Sequence, residues 1–278
     1  MASAADSTSI AFSLDGETIR ALPGETLLTA AKRHGIPIPH LCAQDGLRPD
    51  GNCRACVVEI EGERVLAPSC CRQPTDGMVA HSNNERARKS QRLVVELLKS
   101  DMPATAQTLD SELDHWADFL NVTESRFPAR EQPAADVSHP AIAVNLDACI
   151  RCTRCLRACR EEQVNGVIGY ASRGDQASIV FDLEDPLGES SCVACGECVQ
   201  ACPTGALMPA GNVGLRPPQT SVDSICPYCG VGCQLTYHVR DNQILHVSGR
   251  DGPANQGRLC VKGRYGFDYV RDRGRLTV

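Results

Sequence analysis

No run of about 18 consecutive apolar residues occurs anywhere in this 278-residue chain, which excludes a membrane-spanning helix. Surplus positive charge is also missing. Against 28 Lys and Arg stand 34 Asp and Glu, a net charge of −6, so neither nucleic acid nor an anionic membrane surface is an expected partner. The opening MASAADSTSI has no basic start followed by an apolar core and no twin-Arg pair, so no export signal is read there and a cytoplasmic location is expected. No convincing G-x-G-x-x-G fingerprint for a dinucleotide is present. No nucleophile, general base or oxyanion hole is proposed, and no catalytic residue is assigned. The seven histidines (His34, His40, His81, His115, His139, His238 and His246) are scattered, and none is assigned as a ligand. His40, the nearest to a cysteine, reads as an outer or surface residue.

What the chain does have is cysteine, 17 residues of it, in a globular composition of 42% hydrophobic and 22% charged residues. An odd number cannot be fully paired within one chain. In a reducing cytoplasm so many thiols are metal or redox ligands rather than disulfide staples. The length suggests about two domains, or more if they are small and organised by cofactors.

Residues 9 to 22 alternate apolar and polar about Asp15-Gly16, a tight hairpin. Residues 24 to 35 follow as a helix with Leu27, Leu28, Ala30 and Ala31 inward and Gly35 at its end. A second hairpin is expected from 57–60, the Glu61-Gly62 turn and 64–67. A small sheet clasping one helix is the β-grasp arrangement. Residues 84 to 100 and 111 to 120 read as two helices. The first is capped by Asn83 or Asn84, with Ala87, Val94, Val95 and Leu98 in period. The second has Ser111 and Asp114 as a capping box, with Leu113, Trp116, Ala117 and Leu120 on one face. Trp116, the only Trp, is expected to pack this spacer against a neighbour. Pro128, Pro133 and Pro140 mark an ordered connector or boundary. The resulting division is 1–80, 81–140, 141–215 and 216–278.

Sixteen cysteines fall into four quartets. Cys42, Cys53, Cys56 and either Cys70 or Cys71 have the spacing C-x10-C-x2-C-x13-C, which suits a [2Fe–2S] centre whose two irons each need two sulfurs; zinc would also accept four thiolates. Gly51 frees the loop backbone to wrap close to such a centre. Further on, CIRCTRCLRACR (149–160) and CVACGECVQACP (192–203) are one unit repeated at an offset of 43 residues. Each reads C-x2-C-x2-C-x3-C, the spacing in which three cysteines hold one cubane and the fourth ligates the other. One [4Fe–4S] centre is therefore expected on Cys149, Cys152, Cys155 and Cys202, and a second on Cys192, Cys195, Cys198 and Cys159. Pro203 ends the second unit where Arg160 stands in the first, so the chain must leave the two units differently. Arg151, Arg154, Arg157 and Arg160 stud the first unit, whereas the second has Glu197. These arginines either tune the potential of the first cubane or form a face that is simply solvated or docks an acidic partner. Cys226, Cys229, Cys233 and Cys260, in CPYCGVGC and CVKG, make the last quartet. It suits a third cubane better than a zinc ribbon, whose second knuckle would bring two cysteines.

The last quartet, with Lys262 and GRYGFDYV, resembles the N-terminal iron–sulfur segment of molybdenum or tungsten bis-pterin oxidoreductases, formate dehydrogenases above all. In that family the lysine matching Lys262 lies between cubane and pterin. The first quartet resembles the ferredoxin head of the large iron–sulfur subunit of respiratory complex I, of hydrogenase diaphorase subunits and of iron-only hydrogenases. That resemblance makes Cys70 the fourth ligand and leaves Cys71 as a buried thiol. The whole order resembles the alpha subunit of cytosolic NAD-dependent formate dehydrogenases. It implies an α+β multi-domain protein: a β-grasp [2Fe–2S] ferredoxin domain, a helical spacer, a dicluster ferredoxin-like domain and the [4Fe–4S] segment of a bis-pterin oxidoreductase. Many relatives carry a further His-plus-three-Cys cubane, but residues 80 to 140 contain no cysteine, so four centres are expected.

The function implied is electron transfer from a bis-molybdopterin guanine dinucleotide site holding Mo or W. That catalytic portion lies beyond this chain, so the chain alone lacks the catalytic machinery. Electrons would reach FMN and NAD on a flavoprotein beta subunit, and a small [2Fe–2S] gamma subunit is a further expected partner. The alternatives are service to another bis-pterin enzyme or to a hydrogenase, and, in a different class, a zinc-stabilised interaction module.

Overall fold

The structure is a computed structural model and describes residues 9–103, 108, 110–214, 217–270 and 274. Two compact units are present: Met1–Met102 with Glu112–Glu131, and Pro103–Ser111 with Gln132–Val278.

In the first unit β1 (Ile10–Leu14) and β2 (Glu17–Ala21) form the expected hairpin. Its turn needs left-handed backbone at two successive residues, supplied by Asp15 (φ 52) and Gly16 (φ 89). Helix α1 (Leu27–Arg33) starts where the Thr26 hydroxyl accepts the Thr29 N–H at 3.2 Å, and it buries Leu27, Leu28, Ala30 and Ala31. β3 (Val57–Ile60) forms as expected, but its partner β4 is only Ala67–Pro68. Residues 64–66 are not in the strand, because the Glu63 N–H closes back on the Ile60 carbonyl and the Arg64 carbonyl is taken by Arg86. β5 (Val79–His81), too short to show a period, went unforeseen. It lies at the centre of the sheet, parallel to β1 and antiparallel to β3, in the order β2-β1-β5-β3-β4.

Helix α2 (Glu85–Lys99) is capped by Asn84, whose side chain accepts the Ala87 N–H. Its inner face includes one polar residue, Gln91, which is fully buried and donates to the carbonyls of Val57 and Ser82 at 3.0 Å each. Helix α3 (Glu112–Leu120) packs on α2 and buries the four residues its period predicts. Trp116 meets the His40 ring at 5.3 Å, which explains a lone Trp in the spacer by packing.

In the second unit β6 (Ile142–Val144) pairs with a later strand and leads into the first cysteine repeat, where α4 (Arg154–Arg157) continues as a wider turn, Ala158–Glu162. A hairpin of β7 (Ile168–Ala171) and β8 (Ser178–Phe181) separates the repeats. Helix α5 (Glu197–Ala201) carries the second repeat and packs on α4, and β9 (Leu207–Pro209) closes back on β6. The two exits differ as Pro203 requires: Cys202 turns extended (ψ 121) before the proline, whereas Cys159 stays inside the widened turn. The chain then forms an antiparallel sheet of β10 (Thr220–Ile225), β11 (Gln234–Arg240) and β12 (Gln243–Gly249), followed by α6 (Val261–Tyr265). Among the described residues no helix is long and apolar enough to cross a membrane.

Candidate cluster sites

The first site is assembled from a loop and the ends of two strands. Cys42 and Cys53 lie on the loop after α1, Cys56 immediately precedes β3, and Cys70 follows β4. The Cys42 N–H points at the Cys53 sulfur at 3.4 Å, and the Ser69 N–H binds the Cys56 carbonyl, tying the two ends together. Hydrogen bonds from Cys53 and Cys70 hold the Cys42 thiol far below its ordinary value, and both partners are pushed up in return. Cys56 is lowered to about 7, chiefly by its bond to Cys70. Cys70 is buried and faces Cys42 and Cys56; Cys71 is exposed, which corrects its expected burial. The two sulfurs are nevertheless neighbours, 3.6 Å apart. Gly51 is left-handed (φ 64), and a Cβ on it would lie 2.8 Å from the sulfur of Cys71, the cysteine outside the expected quartet.

In the paired sites Cys152 and Cys155 lie near enough to Cys149 and Cys202, and Cys195 and Cys198 near enough to Cys192 and Cys159, for their charges to act on one another; Cys155 also feels Cys198, and Cys198 feels Cys202. Burial pushes Cys152 up to about 12 and drives Cys155 and Cys198 well above the ordinary thiol value, because an apolar surrounding opposes a bare thiolate. Cys155, Cys159 and Cys198 belong to the apolar core with Ile142, Phe181 and Leu187. Cys149, Cys152, Cys155 and Cys202 line one small hollow with Ile150 and Ile179. Arg154 and Arg157 are buried, which removes the reading of a merely solvated arginine face; Arg160 alone is exposed and pairs with Glu161.

The last site draws Cys226, Cys229, Cys233 and Cys260 together at the end of the β10–β12 sheet. Burial raises the Cys233 thiol, and the other three sulfurs raise it further. The Cys226 N–H binds the Cys233 carbonyl, and Gly232 (φ 79) lets the loop turn between them. Lys262 is exposed on α6, two residues past Cys260. Sequence reasoning missed the ion network beside it. Glu197, 2% exposed, binds Arg264 at 2.8 Å and Arg258 at 3.1 Å, joining α5 to the last segment.

The donor sets fit iron–sulfur centres. Each is four thiols, and backbone N–H groups already aim at the sulfurs of Cys53, Cys149, Cys192 and Cys202 at 3.3 to 3.4 Å, where they offset the negative charge of bound sulfur. Among the described residues no group of three or more His, Cys, Asp or Glu side chains is gathered around the position of a single metal ion.

Three domain families match the chain: the 2Fe-2S iron-sulfur cluster binding domain over residues 7–85, the 4Fe-4S dicluster domain over 148–206, and the molybdopterin oxidoreductase Fe4S4 domain over 219–272. An NADH-quinone oxidoreductase component of Rhizobium meliloti is 35% identical over 96% of this chain and 32% of its own length. A Staphylococcus haemolyticus protein provisionally named a formate dehydrogenase is 26% identical over 95% of this chain and 31% of its own. The chain thus spans about a third of the length of these curated relatives. A chain in the crystal structure of NAD+-reducing [NiFe]-hydrogenase in the H2-reduced state superposes with a TM-score of 0.69 at 29% identity, covering 75% of this chain and 90% of that one. The chain is a mixed α/β protein made of a 2Fe-2S ferredoxin domain, a 4Fe-4S dicluster domain and the Fe4S4 domain of molybdopterin oxidoreductases.

Proposed function

We propose that this chain is the electron-transfer portion of an NAD-dependent formate dehydrogenase alpha subunit, working in the cytoplasm with the modules 1–80, 81–140, 141–215 and 216–278. Cys42, Cys53, Cys56 and Cys70 hold one [2Fe–2S] centre. Three [4Fe–4S] centres sit on Cys149, Cys152, Cys155 and Cys202, on Cys192, Cys195, Cys198 and Cys159, and on Cys226, Cys229, Cys233 and Cys260. When bound, these centres accept and release single electrons. The chain's own part is to hold them apart, keep water from the buried thiols and set their potentials. Electrons enter at the last quartet from a Mo or W bis-pterin site on a catalytic portion, with Lys262 between the two. They leave through the [2Fe–2S] centre to a flavoprotein that carries FMN and NAD, because nicotinamide cannot take electrons one at a time.

What supports this reading is the nearness of Cys202 to the first repeat's cysteines and of Cys159 to the second's, together with the match of residues 219–272, which hold the last quartet, to the molybdopterin oxidoreductase Fe4S4 domain. An oxygen-free preparation should contain about 14 irons per chain with matching sulfide, and should give paramagnetic signals after dithionite. A colourless, silent protein, or one holding zinc with little sulfide, sinks the proposal. A second reading, the electron-transfer subunit of a hydrogenase, is favoured by the superposition on the hydrogenase chain. Reduction of the assembled complex by formate but not by H2 selects the first reading, and the reverse selects the second.

A further inference from the structure

The offset of 43 residues makes Arg154 the counterpart of Glu197 and Arg157 the counterpart of Gln200. The backbone keeps this symmetry. Arg151 and Thr153 are left-handed at φ 55 and 63, and their counterparts Ala194 and Gly196 at φ 55 and 74. The N–H groups of Arg151 and Ala194 point at the preceding cysteine sulfurs at 3.4 and 3.3 Å. Charge does not keep it: a buried cation, Arg154, corresponds to a buried anion, Glu197.

In the first repeat a guanidinium arises from within. Arg157, fully buried, reaches back to the Cys152 carbonyl at 3.3 Å. The corresponding carbonyl of the second repeat, on Cys195, also receives a guanidinium, but from 69 residues downstream: Arg264 donates to it at 2.8 Å. Arg264 is 4% exposed and spends its other nitrogens on Gln200 (2.9 Å) and Glu197 (2.8 Å), so the residue standing where Arg157 would be now anchors its replacement. Room for the side chain comes from Gly196, where a Cβ would lie 2.1 Å from the Arg264 Cδ. Arg258, also from the last segment, binds the second oxygen of Glu197, so one buried carboxylate faces two guanidiniums. The Arg264 N–H binds the Cys260 carbonyl at 3.0 Å, one helical turn from the last quartet.

We propose that Arg264 supplies from the last segment the cationic cap on the Cys159, Cys192, Cys195 and Cys198 site that Arg157 supplies from within the repeat at the other. The potential of the second cubane is thereby set by the docking of the last segment against α5. This rests on the reading of the quartets as cubane sites. One electron lowers the charge state of a cubane with no bond made or broken, and a buried cation beside it favours the more negative product. Arg264 is a positioning and tuning residue, touching the cradle through the Cys195 carbonyl.

The test is a dithionite titration of the anaerobic full chain followed by electron paramagnetic resonance, with Cys195→Ser identifying the signal of the second site. Arg264→Gln should lower the reduction equilibrium constant of that centre by about tenfold, or ~59 mV for one electron, and leave the Cys149 centre unmoved. Arg264→Lys, which keeps the charge, should restore most of the shift. Glu197→Gln should move the same centre in the opposite direction, whereas the fall expected for Arg264→Gln has a sign that loosened packing does not produce, since admitted water favours the more negative reduced state. Unchanged potentials in Arg264→Gln with full iron content overturn the inference and leave the cluster reading standing; absence of iron and sulfide in the unsubstituted protein overturns the cluster reading itself. If Arg264→Gln loses the centre, Glu197→Gln decides, and any result but an upward shift refutes the proposal.

Discussion

Replacing Gln91 tests whether the cysteine-free helices are structurally part of the ferredoxin unit. Its side chain is fully buried in α2, and its amide donates to the Val57 carbonyl at the start of β3 and to the Ser82 carbonyl just past β5. Gln91→Leu preserves the approximate volume but strips donors from two buried carbonyls. Each unsatisfied acceptor costs about 1–3 kcal/mol, and the apolar burial gained by leucine returns about 1–2 kcal/mol. The net loss should be about 2 kcal/mol. The assay is urea unfolding of the full chain followed through Trp116, its only Trp, which lies in the same unit. The midpoint should fall with the slope unchanged. A Gln91→Leu protein within about 0.5 kcal/mol of the parent refutes the reasoning.

Cys70→Ser should remove the two irons of the [2Fe–2S] centre, taking the total from about 14 to about 12, whereas Cys71→Ser should leave the count unchanged; the reversed pattern in iron analysis would move the ligand by one residue. Gly196→Ala should destabilise the second unit by about 2 kcal/mol or more, because it forces both a left-handed alanine and the expulsion of Arg264, and thermal unfolding measures it. Burial, then the stacked His238 ring at 4.2 Å, lowers His246 to about 4, against the opposing pull of Asp110. A base lowered on folding binds protons more readily when unfolded, so stability should be complete above about pH 6.5 and fall as the pH drops towards 4. His246→Phe should flatten that slope in urea unfolding at a series of pH values, and an unchanged slope would assign it elsewhere.

The residues that were legible in the sequence are those whose signal is local. Asp15-Gly16 demands a hairpin, the α1 apolar positions share one face, and the cysteine spacings foretell which thiols come near one another, Cys202 beside the first repeat and Cys159 beside the second. Features set by distant partners were not legible. β5 is three residues long and gains its place only between β1 and β3. Gln91 looks like an ordinary surface residue until the carbonyls it serves are positioned. Cys70 and Cys71 are adjacent in the sequence, and only the fold buries the one and exposes the other. The offset that pairs Arg154 with Glu197 is visible in the sequence, but nothing local reveals that both are buried, or that Glu197 meets a guanidinium 67 residues away.

The traded cysteines also bear on biogenesis. Cys149, Cys152 and Cys155 leave the ribosome well before Cys202 exists, while Cys159 emerges early and waits for Cys192, Cys195 and Cys198. On the proposed ligand assignment, no nascent length short of Cys202 contains a complete set for the first site, and no fragment cut between the repeats contains one for either. Metal delivery to the two centres would then wait for the second repeat to be made, and damage to either repeat would disable both.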